Sequence, residues 1–349
     1  MHIKPATYCL AAVASIIGAA CKHNMDHDGH KMLNITYPAA YVVNGQGNSL
    51  SVINLSENKV TGEIGLNGAT YPHHVNLSPD KSRLAVAITA TDLSGGHGVH
   101  GGSAAGFKVQ VINSATGMIE KEIALPKMPH NAAFNPSGTE LWVGQADATQ
   151  SKVLVYKTAD WTLQNTLDAG RDVAEITFST DGTRAYATNT GDGTVTVFDP
   201  AAKSALRVVQ VGKDPVGAWP AANGRMYVDN ELDQTVTEID VATSAVTATI
   251  PLGYKPGYAA YHASQEELWV SDATNGRVVV YKKQGGAWGV QNTVLTGADA
   301  HAVAFSQDGT TAYVTNQGAN SVSVINASAK AKLRDIAVGL KPNGIVLRE

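Results

Sequence analysis

Short runs in which apolar and polar residues alternate, such as "TVTVFD" and "SVSVIN", recur along almost the whole chain, broken by Asn, Gly and Asp clusters. Alternation with a period of two is the signature of a half-buried β-strand, and the clusters read as turns. Aligning the chain on "AFNPSGTELWVG", "TFSTDGTRAYAT", "WPAANGRMYVD" and "AFSQDGTTAYVT" exposes a unit of about 42 residues, a length that signals a propeller or a solenoid. Each unit predicts four strands in a meander. A short first strand leads to an Asp-Gly-like turn, the second ends in aromatic and β-branched residues, and the third and fourth follow, as in "SAVTATIPLG".

The position after each loop proline, or its equivalent, falls at His73, His130, Ala174, Val216, Gly257, His301 and Asn343, so seven units are present. The chain starts inside a unit, with "AAYVVNGQGNSLSVINLSENKVTGEIGLNG" supplying strands two to four. It ends after a first strand, "KPNGIVLRE". Those fragments complement each other, and letting the last strand complete the first blade removes exposed sheet edges. The predicted fold is therefore all-β: a seven-bladed β-propeller of four-stranded antiparallel blades, its ring closed by the C-terminal strand in the N-terminal blade. "AYVTNQGANSVSVIN", Ala312 to Asn326, resembles the repeat of the YVTN family, and the resemblance covers residues 37–349. It implies an exported or surface propeller, in a group whose relatives include haem- and copper-carrying enzymes, lactonases and plain binding proteins.

Composition narrows the function classes. The 349 residues are 44% hydrophobic and 16% charged, with 26 basic against 30 acidic residues. That balance, spread without long runs, leaves no electrostatic footprint for nucleic acid. The first twenty residues, "MHIKPATYCLAAVASIIGAA", carry one lysine, an apolar stretch and small residues before Cys21, which predicts a signal peptide over 1–20 and export to the periplasm or the outer membrane. "IIGAAC" resembles a lipobox with Gly18 where Leu usually stands, so Cys21 is the expected lipidation site and the expected route to a membrane. Cys9 lies inside the signal, so no internal disulfide is available to the mature chain. Residues 21–36 read as a flexible His- and Met-rich tether, with His23, His27 and His30 suited to weak metal capture. The chain is expected to be a monomer.

The histidines carry the candidate chemistry. In an antiparallel blade the fourth-to-first and second-to-third connections share one face, and the resemblance to propellers implies that first strands are innermost. His73, His130 and His301 then meet at one mouth of the central channel. The interval from His73 to His130 exceeds the others by about fifteen residues, and the excess contains "GGHGVHGG", a second-to-third loop on the same face. His97 and His100 on that glycine-rich arm are able to fold over the mouth. Imidazoles converging from separate segments suit copper or zinc at about 2.0–2.1 Å, with His74, Asn131, Glu175 and Asn343 as supporting partners that orient the rings. His262 falls in another column and reads as structural.

The leading expectation is an exported binding protein with a His-lined copper or zinc site at the channel mouth. Two others stand beside it: a metal-dependent periplasmic enzyme, oxidoreductase or lactonase-like hydrolase, using the same residues, and a scaffold that holds a protein partner on that face. "PHH" is similar to the paired ligands of nitrous oxide reductase, another seven-bladed propeller, although no copper-binding partner domain with clustered cysteines is present. Cys-x-x-Cys-His is absent, so covalent c-type haem is not expected. Asp172, Asp214 and Asp299 lie in fourth-to-first loops and read as turn residues, flanked by Lys213, Lys255 and Lys341. Trp142, Tyr186, Tyr227, Trp269 and Tyr313 recur at one position of the second strand and read as core between blades. Trp219 and Tyr258 fall on innermost strands, where side chains reach the channel.

Overall fold

In the computed structural model, which describes residues 32–95 and 106–349, the alternating runs form 28 strands, numbered β1 to β28 in chain order. They build seven antiparallel sheets of four strands each, the seven-bladed β-propeller that the repeat predicts. The first strands of the blades are β4 (Pro72–Leu77), β8 (Ala132–Phe134), β12 (Val173–Phe178), β16 (Pro215–Ala221), β20 (Pro256–His262), β24 (Ala300–Phe305) and β28 (Pro342–Arg348). Each contacts the first strands of both flanking blades, and the series returns from β28 to β4. These seven strands therefore surround the axis. No helix among the described residues is long and apolar enough to cross a membrane.

Closure takes the expected form. β28 pairs antiparallel with β1 (Ala39–Asn44), from Ala39 opposite Arg348 to Val43 opposite Gly344. At the seam the Arg348 guanidinium donates to the carbonyls of Ile35 at 2.6 Å and Tyr37 at 3.1 Å and sits 5.8 Å over the Tyr41 ring. Leu33 and Ile35 donate backbone hydrogen bonds to Thr116 and Ala115, within the packed unit Leu33–Glu349.

The recurrent aromatics fill the spaces between blades. Trp142, Tyr186, Tyr227 and Trp269 are wholly buried. Trp142 meets Phe178 of the next blade edge-on at 5.3 Å, and Trp269 meets Phe305 in the same way at 5.2 Å, the geometry that the aromatic quadrupole favours. The asparagine that ends four of the second strands acts as a staple. Asn316 donates to the hydroxyls of Ser321 at 3.1 Å and Ser323 at 3.0 Å on the third strand, and its Oδ1 accepts the Gly297 N–H from the loop that enters the blade. Asn44, Asn189 and Asn230 bond the equivalent Ser or Thr pairs. A Cβ on Gly297 would lie 2.8 Å from Asn316, which is why that loop carries glycine. The motif Tyr-Val-Thr-Asn is thus a packing motif: the aromatic fills the core and the asparagine locks strand to loop.

The turn into the first strand is equally regular. Tyr71, Asp172, Asp214, Asp299 and Lys341, each directly ahead of a first strand, hold φ between +51° and +59°. Asp tolerates this left-handed region better than most residues, which accounts for three acidic residues in one column.

Candidate metal centre

The first strands deliver the histidines to one end of the channel. His73 is the second residue of β4, His130 lies just ahead of β8, and His301 is the second residue of β24. His73, His130 and His301 are buried, at 3%, 0% and 5% exposure. Ring centroids of His73 and His130, from neighbouring blades, are 4.3 Å apart. His301 stands farther off, 6.4 Å from His73 and 6.1 Å from His74. Imidazoles widely separated in sequence do converge at one axial opening.

His74 sits inside the cluster, closer than the supporting place that strand alternation assigns it. Successive residues of a regular strand point to opposite faces, so a His-His pair should send one ring away. β4 escapes this by a bulge: His73 pairs with Ala87, Val75 pairs with Val86, and His74 between them is left out of the register with φ at +52°. A bulge re-aims the extra side chain. The two rings are then 4.4 Å apart, and His74 lies 5.0 Å from His130. One ring nitrogen from each of His73, His74 and His130 falls within 4.8 Å of the others.

Asn131 and Glu175 lie behind His130. Asn131 clips blade to blade, accepting the Ile176 N–H at 2.8 Å, donating to the Ile176 carbonyl at 2.9 Å and donating to Glu175. Glu175 Oε2 stands 3.8 Å from His130 Nδ1. Burial pushes the Glu175 carboxyl well above the usual carboxylate range; the Asp229 carboxylate adds to this, and the Asn131 hydrogen bond opposes it. Asn343 donates to the Pro72 carbonyl at 3.0 Å, and its own carbonyl faces His301 Nδ1 at 2.8 Å. That contact places the proton of His301 on Nδ1. Glu175 thus lies beside His130 and the Asn343 backbone carbonyl beside His301, while Asn131 bonds Glu175 and Ile176.

Sequence reasoning left out Asp229. It stands in "YVDN" where other repeats carry Thr in "YATN" and "YVTN", and this departure is the signal that would have found it. Buried at 1% exposure, it accepts a hydrogen bond from Trp219 Nε1. Trp219 stacks near-parallel on His74 and packs on Tyr258 with centroids 3.6 Å apart. Burial, reinforced by Glu175 and Asp229, drives the Tyr258 phenol above its ordinary range. Tyr258 also lines a cavity of about 650 Å³ with Phe305, Ile345 and Leu347, from the far ends of the first strands. Trp219 thus touches His74 on one side and Tyr258 on the other.

A second cavity of about 260 Å³ adjoins the cluster at the mouth, lined by Leu93, Glu231, Lys255, Asp299, His301 and Gln317. Leu93 belongs to the long connection after β5 (Arg83–Ile88), so the start of that connection lines this cavity. His97 and His100 lie outside the described residues, as do Cys21, His23, His27 and His30. Asp172, Asp214 and Asp299 hold the left-handed turn positions. Lys255 pairs with Glu231, and Lys341 stands 3.6 Å from Asp299. His262, buried at 2%, bonds the Gly309 carbonyl through Nε2 at 2.7 Å, far from the cluster.

Fold and site together define a seven-bladed propeller with a histidine cluster at one channel mouth. Solved structures share the fold. A Bacteroides uniformis protein provisionally assigned as a 6-phosphogluconolactonase is 14% identical with a TM-score of 0.72, over 89% of this chain and 99% of that one. The Pseudomonas aeruginosa periplasmic gluconolactonase PpgL is 17% identical with a TM-score of 0.71, over 89% and 99%. Kuenenia stuttgartiensis hydrazine synthase is 17% identical with a TM-score of 0.69, over 88% and 98%. No protein-family model matches the chain, and no curated protein matches it in sequence.

Proposed function

We propose that this chain is an exported binding protein that holds one copper or zinc ion on His73, His74 and His130 at the channel mouth. The observation that carries the reading is the approach of three ring nitrogens, from two blades, to within 4.8 Å. A tetrahedral ion with bonds of about 2.0 Å wants its nitrogens about 3.3 Å apart, so modest ring rotations complete the set. Neutral imidazole suits both ions. The three ligands leave a fourth position for water or for His301. Export, a lipid on Cys21 and a monomeric state accompany this reading as expectations from the N-terminal sequence and composition.

Titration of the full-length protein with Zn(II) and Cu(II) tests it. One equivalent should be lost when His73, His74 and His130 are changed to Ala together, and retained when His23, His27 and His30 are changed instead. Retention of that equivalent in the first variant removes the mouth site. A second reading follows from the names of the gluconolactonase structures. With an open position, the same ion would act as a Lewis acid on a lactone carbonyl and lower the pKa of bound water. Metal-dependent hydrolysis of δ-gluconolactone, abolished in the triple-histidine variant, supports that reading; full binding without turnover leaves the binding protein.

A further inference from the structure

Residue 229 breaks the pattern of its column. The neighbouring blades place Thr188 and Ser271 there, and the Thr188 hydroxyl accepts the Glu175 N–H of its own blade at 2.8 Å. Asp229, 1% exposed, instead presents a carboxylate that accepts the Trp219 Nε1–H. Gly217 makes this contact possible. A Cβ on residue 217 would overlap Trp219 Cζ2 and Cε2 and fall 2.5 Å from Asp229 Oδ1, so the indole lies back across its own strand where a side chain would otherwise stand. Tyr258 packs against the same indole with centroids 3.6 Å apart. A carboxylate at its edge and a phenol beside it therefore hold the ring on which His74 stacks, 18° from parallel.

We propose that Asp229 is a positioning residue for His74, acting through Trp219. The inference rests on the metal reading above and concerns what keeps one of its three ligands in place. His74 lies in the bulge of β4, outside the ladder register and with φ at +52°, so its ring takes its direction from its neighbours rather than from strand alternation. The indole gives that ring a flat wall. It also favours the loaded state, because an imidazole bound to an ion carries part of the ion's charge and the face of an indole attracts positive charge. Asp229 contributes by fixing the wall, as outer carboxylates fix the groups around a metal.

Competitive titration of the full-length protein with Zn(II) against a chelating dye is the test. Asp229→Thr installs the residue of the preceding blade, and it should keep one equivalent while raising the Kd roughly tenfold, the low end of what outer partners contribute. Asp229→Asn retains an acceptor oxygen for the indole N–H and should stay within about threefold of wild type. In a Trp219→Phe background, which has no N–H to hold, Asp229→Thr should change the Kd by less than about twofold, whereas a general loss of stability would act in both backgrounds. Should Asp229→Thr fold poorly, Gly217→Ala decides, since the new Cβ displaces the indole and should weaken Zn(II) to the same extent. An equivalent that survives in the triple-histidine variant brings down the metal reading and this inference with it. With the equivalent located on the histidines, three results would overturn this inference alone: wild-type Kd in Asp229→Thr or Gly217→Ala, an Asp229→Asn as weak as Asp229→Thr, or an equal loss in the Trp219→Phe background.

Discussion

His74 and Trp219 face each other across the channel, ring centroids 6.2 Å apart and planes 18° from parallel. A Cu(II) ion on His74 would thus lie within contact range of one indole, while Trp142 and Trp269 are sealed between blades. Cu(II) should quench a distinct part of the tryptophan emission, and Trp219→Phe should remove most of that quench without changing the stoichiometry. Equal quenching in wild type and variant would place the ion elsewhere.

Glu175 gives a pH dependence with a defined sign. Its carboxyl titrates well above its ordinary value of 4.5 in the folded protein, so over that window the folded state holds a proton that the unfolded chain has lost. Folding takes up a proton there, and stability falls as pH rises from about 4.5 toward the folded value. Glu175→Gln keeps a neutral group and removes this slope. Urea midpoints at pH 5 and pH 8 should differ more in wild type than in the variant, and parallel profiles would refute the assignment.

The repeat, the blade count and the closing strand were legible because each is written as alternation and turn chemistry in contiguous residues. The approach of His73 to His130 followed from column equivalence together with the resemblance that makes first strands innermost, while His301 stands 6.4 Å from His73. His74 was misplaced because a bulge breaks the period of two, and nothing in "PHHVNL" spells out that the second histidine adopts a positive φ. Asp229 was passed over because a carboxylate at the end of a strand reads as a turn residue until its neighbours in space are known. Trp219, placed on an innermost strand from sequence, gained its role only when β16 set it beside His74.

The staple asparagines should cost more than surface polar residues when truncated. Asn316→Ala leaves the Gly297 N–H and the hydroxyls of Ser321 and Ser323 without their shared partner, for a loss of about 2–3 kcal/mol in urea unfolding. Gln284→Ala, whose side chain bonds Gln291 on the exposed surface, should stay within about 0.5 kcal/mol of wild type. Comparable losses in both would remove the staple from the account of stability.

Gly344 links ring closure to the cluster. It lies in β28, and a Cβ there would fall 2.9 Å from the Cα of His74 and 3.3 Å from the Val75 nitrogen. These are backbone atoms of the bulge, which no rotamer change relieves. Gly344→Ala must push β28 away from β4 or flatten the bulge, and overpacking of this kind costs about 1–3 kcal/mol. Flattening returns His74 toward the regular alternation and carries its ring away from His73 and His130. The variant should therefore lose Zn(II) affinity as well as stability, whereas Gly289→Ala, where a Cβ meets nothing within 4 Å, should change neither. Stability lost with Zn(II) affinity intact would separate the bulge from the site, and unchanged values for both would show that the two inner strands yield freely at the seam.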